Sequence, residues 1–220
     1  MPEKYSLIIY TNDKGISKKI DSFLKDTPFR IKGISDRFDE IKTLLKHHAP
    51  DFIIIALNQP CSNPSLYPIK ITSPITRIII TEEICNSENI FNLIQAGADS
   101  FLPKPFYRED LIDVLTNLAN DEIFLPAFVA KAILEESNGL TQSDHEYPFK
   151  LTERDRSILW CLAKGMDLGG IQSYLGIEEN LIRAHFTNII QKIHFSDIVH
   201  NHFNDKLVEV QSDSEHFELI

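Results

Sequence analysis

The chain has 220 residues, of which 43% are hydrophobic and 25% charged, and a net charge of −10. That length suits two domains, and the composition excludes disordered, fibrous and disulfide-rich classes. The negative balance argues against an indiscriminate nucleic-acid binder, and the longest apolar runs are far too short to span a bilayer.

Five short apolar runs alternate with longer amphipathic stretches in the first 120 residues. Strands are expected at Ser6–Tyr10, Phe29–Ile34, Phe52–Leu57, Arg77–Thr81 and Ser100–Leu102. Helices are expected at Gly15–Lys25, Phe38–His47, Ser87–Ala96 and Arg108–Ala119. Pro60, Pro64, Pro68 and Pro74 crowd the region between the third and fourth strands, so a helix there is short or absent. Strand–helix alternation around the near-continuous apolar run FIIIAL reads as a five-stranded, doubly wound parallel sheet covered on both faces. A site in such a sheet lies at the carboxyl ends of the strands.

Phe124–Ser137 has helical apolar spacing, and the polar stretch Asn138–Tyr147 follows it as an interdomain connection. From Lys150 the pattern is wholly helical. Thr152 precedes a helix with Glu153 and Asp155 in its first turn and Gly165 just past its end. A second helix is expected at Leu168–Leu175 and a third at Glu179–Ile193, separated by a turn containing Gly176. The pair forms a helix-turn-helix whose second member could enter a major groove. The expected organisation is a doubly wound α/β domain over 1–122, a linker helix and loop over 123–149, a small all-α helix-turn-helix domain over 150–203 and an acidic tail over 204–220.

Residues 151–197 contain Leu151-Thr152, Arg156, Leu159, Leu162-Ala163, Gly165, Leu175-Gly176-Ile177, His185, Asn188-Ile189, Lys192 and Ser196-Asp197 in ungapped register. This stretch resembles the DNA-binding domain of the NarL/LuxR family of transcription regulators. Gln95–Phe106, with Lys104-Pro105, is similar to the fifth-strand region of the receiver domains that precede it. The resemblance implies a two-component response regulator, acting as a cytoplasmic homodimer on DNA. It places base-contacting roles on Arg183, Ala184 and Thr187, with Asn188 nearby in the DNA-binding set, and a backbone grip on Lys192. It also places the phosphorylation pocket on Thr11, Asn12, Asp13, Ala56, Thr81 and Lys104.

That pocket departs from the family's pattern. The acidic pair falls on Thr11 and Asn12, and alanine occupies the acceptor position, Ala56. Alanine cannot accept a phosphoryl group, and Mg²⁺ wants hard, charged oxygen ligands. Asp51 stands at the opposite end of the third strand, about 17 Å away, and is read as a strand-entry residue. The expectation is a pseudo-receiver that works independently of phosphorylation.

The helix-turn-helix departs too. Residues 150–197 carry six basic and six acidic side chains, Leu181 stands where a phosphate-bonding threonine is usual, and Glu178 and Glu179 open the third helix. The rival reading is therefore a regulatory module that docks a protein partner in place of DNA. No nucleophile–base pair, phosphate-cradling loop or metal cluster is apparent, so neither enzyme activity, cofactor nor metal is expected; Cys61, Cys85 and Cys161 read as isolated thiols. The N-terminus lacks signal-peptide features, and no membrane partner is expected.

Overall fold

The computed structural model describes residues 4–56, 66–81, 86–123, 125–139 and 150–194. Strands β1 (Tyr5–Thr11), β2 (Phe29–Ser35), β3 (Phe52–Ala56), β4 (Arg77–Ile80) and β5 (Ser100–Phe101) form one parallel sheet in the order β2-β1-β3-β4-β5. All five residues of β3 are buried, as expected of a central strand with helices over both faces. Thr11 pairs with Ala56 at the carboxyl ends of β1 and β3, so the sheet register itself brings those positions together. At the other end, Asp51 accepts hydrogen bonds from the Ser6 backbone N–H (2.7 Å) and hydroxyl (2.9 Å), tying the start of β3 to β1.

The connecting helices are α1 (Lys14–Phe23), α2 (Phe38–His48), α3 (Tyr67–Thr72), α4 (Ser87–Gln95) and α5 (Arg108–Ala119). Helix α3 has only six residues, in keeping with the proline-rich sequence around it. The next helix, α6 (Ala127–Gly139), begins three residues later than its apolar spacing suggests. Pro126 is the cause: a residue before proline avoids helical backbone angles, while the Pro126 carbonyl accepts the first helical bonds, from Val129 and Ala130.

Helices α7 (Glu153–Ala163), α8 (Leu168–Leu175) and α9 (residues 179–194) complete the described chain. Thr152 and Asp155 form a reciprocal capping box at the start of α7, which satisfies two otherwise orphaned backbone donors. Helix α8 ends on Gly176 at φ 64°, a left-handed conformation suited to glycine, and the turn into α9 follows. Helix α6 packs against both α4 and α7. Its buried Val129, Ala130, Ala132 and Ile133 belong to one apolar cluster running from β1 to Ile193 of α9.

Candidate nucleic-acid interface

Helix α9 presents two functional faces. Ile182, Phe186, Ile189, Ile190 and Ile193 are buried and hold it against the other helices. Ala184 and Asn188 are exposed, and Arg183 and Thr187 lie half-buried beside them. Spacings of one, four and five residues place these four side chains along one strip of the helix. The structure thus brings together the three positions expected to contact bases and the neighbouring Asn188.

Two cations on α9 already have partners. Arg183 is clamped by Glu179 one turn earlier, with Nε at 3.1 Å and Nη2 at 2.6 Å from Oε1. Its Nη1 reaches Glu122, 3.0 Å away in the segment between α5 and α6. Lys192 Nζ donates to Asp155 Oδ2 at 2.9 Å, and His185 Nδ1 lies 2.7 Å from Asp155 Oδ1. His185 and Lys192, seven residues apart, share one face, so a single carboxylate at the start of α7 fixes two points along α9. Burial opposes ionisation of Asp155, whose side chain is 2% exposed. Hydrogen bonds from Lys192, Thr152 N–H, His185 and the Thr152 hydroxyl outweigh it and lower the carboxyl pKa to about 2.

Glu122 and Asp155 were not among the sequence-derived site residues. Asp155 carried a visible signal, the Thr152-x-x-Asp155 capping pattern, which marks a helix start but not the buried ion pair. Glu122 carried none, because its partner is 61 residues away. At the far end of α9, His194 Nε2 lies 2.9 Å from the Ala98 carbonyl oxygen, so the helix touches the receiver-like domain at both ends.

The strand-end pocket is held by local hydrogen bonds. The Thr11 hydroxyl donates to the Ala56 carbonyl (2.6 Å) and accepts from Asp13 N–H (3.0 Å). Asp13 Oδ1 caps α1, accepting from Gly15 N–H (2.7 Å) and Ile16 N–H (3.2 Å). Asn12 is exposed, Ala56 is fully buried, and Lys104 is half-buried at a cis peptide bond to Pro105. Thr81 is buried, and its hydroxyl has no hydrogen-bond partner among the described residues. Residues 57–65 and 82–85 fall outside the described residues, as do Ser196-Asp197 and the tail expected at 204–220, so nothing is described for Cys61 and Cys85. Cys161 is a free, buried thiol whose pKa burial raises.

Residues 150–201 match the luxR family of bacterial regulatory proteins. Over 175 residues the chain is 28% identical to YxjL, an uncharacterized transcriptional regulatory protein of Bacillus subtilis, covering 78% of this chain and 80% of the relative. It is 29% identical over 149 residues to the nitrate/nitrite response regulator NarL of Escherichia coli K12, covering 66% and 68% respectively. Among solved structures, the RcsB response regulator of Salmonella typhimurium superposes with a TM-score of 0.53 at 18% identity, over 88% of this chain and 93% of that one. The chain therefore carries a LuxR-type helix-turn-helix domain and has homologues among NarL-like response regulators, which are regulators and not enzymes. No described helix is long and apolar enough to cross a membrane.

Proposed function

We propose that this chain is a cytoplasmic DNA-binding transcriptional regulator of response-regulator type, and that its receiver-like domain acts without aspartyl phosphorylation. The carrying observation is the α8–Gly176–α9 helix-turn-helix inside the luxR-matching region, with Arg183, Ala184, Thr187 and Asn188 on one strip of α9. Arg183 would pair with a guanine once freed from Glu122, and Thr187 and Asn188 would contact neighbouring base edges. Lys192 has a different first duty, because it neutralises buried Asp155. Homodimerisation fits the need for two such modest half-sites. The proposed domain limits remain 1–122, 123–149, 150–203 and 204–220.

Among the described residues, the donor set at the strand ends does not fit a hard divalent cation. Thr11 and Ala56 offer no carboxylate, and the Asp13 carboxylate is engaged as the cap of α1. Without a metal-binding acid pair or an acceptor at these positions, phosphoryl transfer lacks its nucleophile and the metal's share of charge stabilisation, and Lys104 alone does not replace them. One observation favours the rival protein-docking module: two carboxylates occupy Arg183, while Leu181 on the same helix is 48% exposed.

Fluorescence anisotropy with genomic DNA fragments at two salt concentrations separates the readings, before and after incubation with acetyl phosphate. The regulator should bind with a salt slope of about −0.9 per neutralised phosphate. Binding should fall in an Arg183→Ala/Asn188→Ala variant and be unaffected by acetyl phosphate. Lys192 is spared because removing it would strand the Asp155 charge. Absence of binding at low salt would leave the protein-docking module standing.

A further inference from the structure

The last described turn of α9 meets the receiver-like domain at the connection between α4 and β5. The Ala98 carbonyl can only accept, so His194 Nε2 carries the hydrogen in their 2.9 Å contact. Ala98 is fully buried, and the neighbouring Asp99 is 3% exposed. The Asp99 carboxylate is already occupied: Ile78 N–H and Lys70 Nζ both donate to Oδ2 at 2.7 Å, and Arg77 Nη1 lies 3.5 Å from Oδ1. Arg77 also bonds Asp121 at 2.8 Å. Among the described residues, the charged groups around His194 are Asp99 from the α4–β5 turn, Lys70 from α3 and Arg77 from β4, with Asp121 behind Arg77. One carboxylate with two cations of its own gives an imidazolium little compensation.

We propose that His194 is an acid-sensitive latch: protonating its imidazole releases α9 from the receiver-like domain. The neutral ring suits the docked position, donating one hydrogen bond to a buried carbonyl beside a saturated ion cluster. A protonated ring would bring a third cation into that cluster and leave water to do so. Burial lowers the His194 pKa below its ordinary 6.5; Asp99 and the Ala98 carbonyl oppose this, and Lys70 and Arg77 reinforce it. A lowered pKa means that the undocked ring binds the proton more readily. Docking is therefore fully supported above about pH 6.5 and weakens as pH falls through the ordinary value towards the lower docked one. Arg183 and His194 stand eleven residues apart, close to three helical turns, on the same side of α9. Loss of the His194 contact leaves the Arg183–Glu122 pair as the remaining ionic tie of α9 to that domain among the described residues.

The consequence for DNA rests on the regulator reading; the release itself does not. Small-angle X-ray scattering of the full chain from about pH 8 to about pH 5.5 tests the release. The wild type should expand as pH falls, and a His194→Gln variant, which keeps a donor but cannot titrate, should stay compact. Far-UV circular dichroism checks that both remain helical. A wild type as compact at the acid end as at the alkaline end overturns the latch, as does a variant that expands with the same midpoint. DNA anisotropy over the same range completes the test. Expansion with several-fold tighter binding supports both readings, and expansion with no DNA binding at any pH keeps the latch and rejects the regulator.

Discussion

Replacing Asp155 by asparagine tests whether one buried carboxylate organises the helix-turn-helix. A carboxyl held at about 2 against an ordinary 3.8 corresponds to roughly 2 kcal/mol of stability at neutral pH. Asparagine keeps the shape but removes the negative charge and replaces one acceptor oxygen by an NH2 donor, so the bonds from Lys192 and His185, each worth about 1.5–3 kcal/mol to a carboxylate, weaken towards about 1 kcal/mol. Lys192 is 37% exposed, so water screens part of its share. The expected destabilisation is about 2–3 kcal/mol. Alanine should cost about 1 kcal/mol more, because it also removes the acceptor of the Thr152 N–H, one half of the capping box. Urea unfolding followed by fluorescence reads the change directly. Trp160, the sole tryptophan, sits on α7 and stacks on Tyr174 of α8 at 6.4 Å. The pH dependence gives a second readout. Since the carboxyl pKa is depressed, its contribution is complete above about 3.8 and disappears as pH falls through about 2. The asparagine variant should lack that acid-side loss. A change below about 0.5 kcal/mol, or an acid loss identical in both proteins, would refute the reasoning.

Glu122→Gln should loosen Arg183 without unfolding anything. A partly exposed pair is worth about 0.2–1 kcal/mol, so DNA affinity measured by anisotropy should rise by no more than about fivefold, with Glu179 still in place. Gly97→Ala should lower the melting temperature by an amount equivalent to about 1–3 kcal/mol. Its φ of 109° disfavours any side chain, and the new methyl would lie 3.1 Å from the Lys70 stem.

Much of the architecture was legible because each local signal pointed the same way. The apolar run at 52–57 could only be a central strand, the prolines between 60 and 74 left room for one short helix, and Thr152 and Gly176 marked helix limits. That the four α9 residues share a strip follows from their helical spacing, but their expected roles came from the family resemblance. The state of those residues was not legible. Arg183 looks like a free base reader until the fold brings Glu122 alongside it. Asp155 looks like an ordinary first-turn acid answering the helix dipole, since burial is a property of the assembled helices. His194 contacts a backbone carbonyl 96 residues away, and a carbonyl is the same in every residue, so no side-chain pattern could announce it. The late start of α6 is a different kind of miss, because Pro126 was in plain view and its effect on the preceding residue is local.

Helix α6 has a consequence for anyone who would recombine this protein. It buries one side against α4 and another against α7, with Phe128 meeting Phe101 edge-on at 6.4 Å and Arg156 of α7 reaching Ser137 at 3.4 Å. Neither half owns it. A graft cut before α6 strips α4 of its cover, and one cut after it bares α7. The receiver-like and helix-turn-helix halves are therefore exchangeable only as partners fitted to the same helix, and a working chimera has to inherit both of its contact faces.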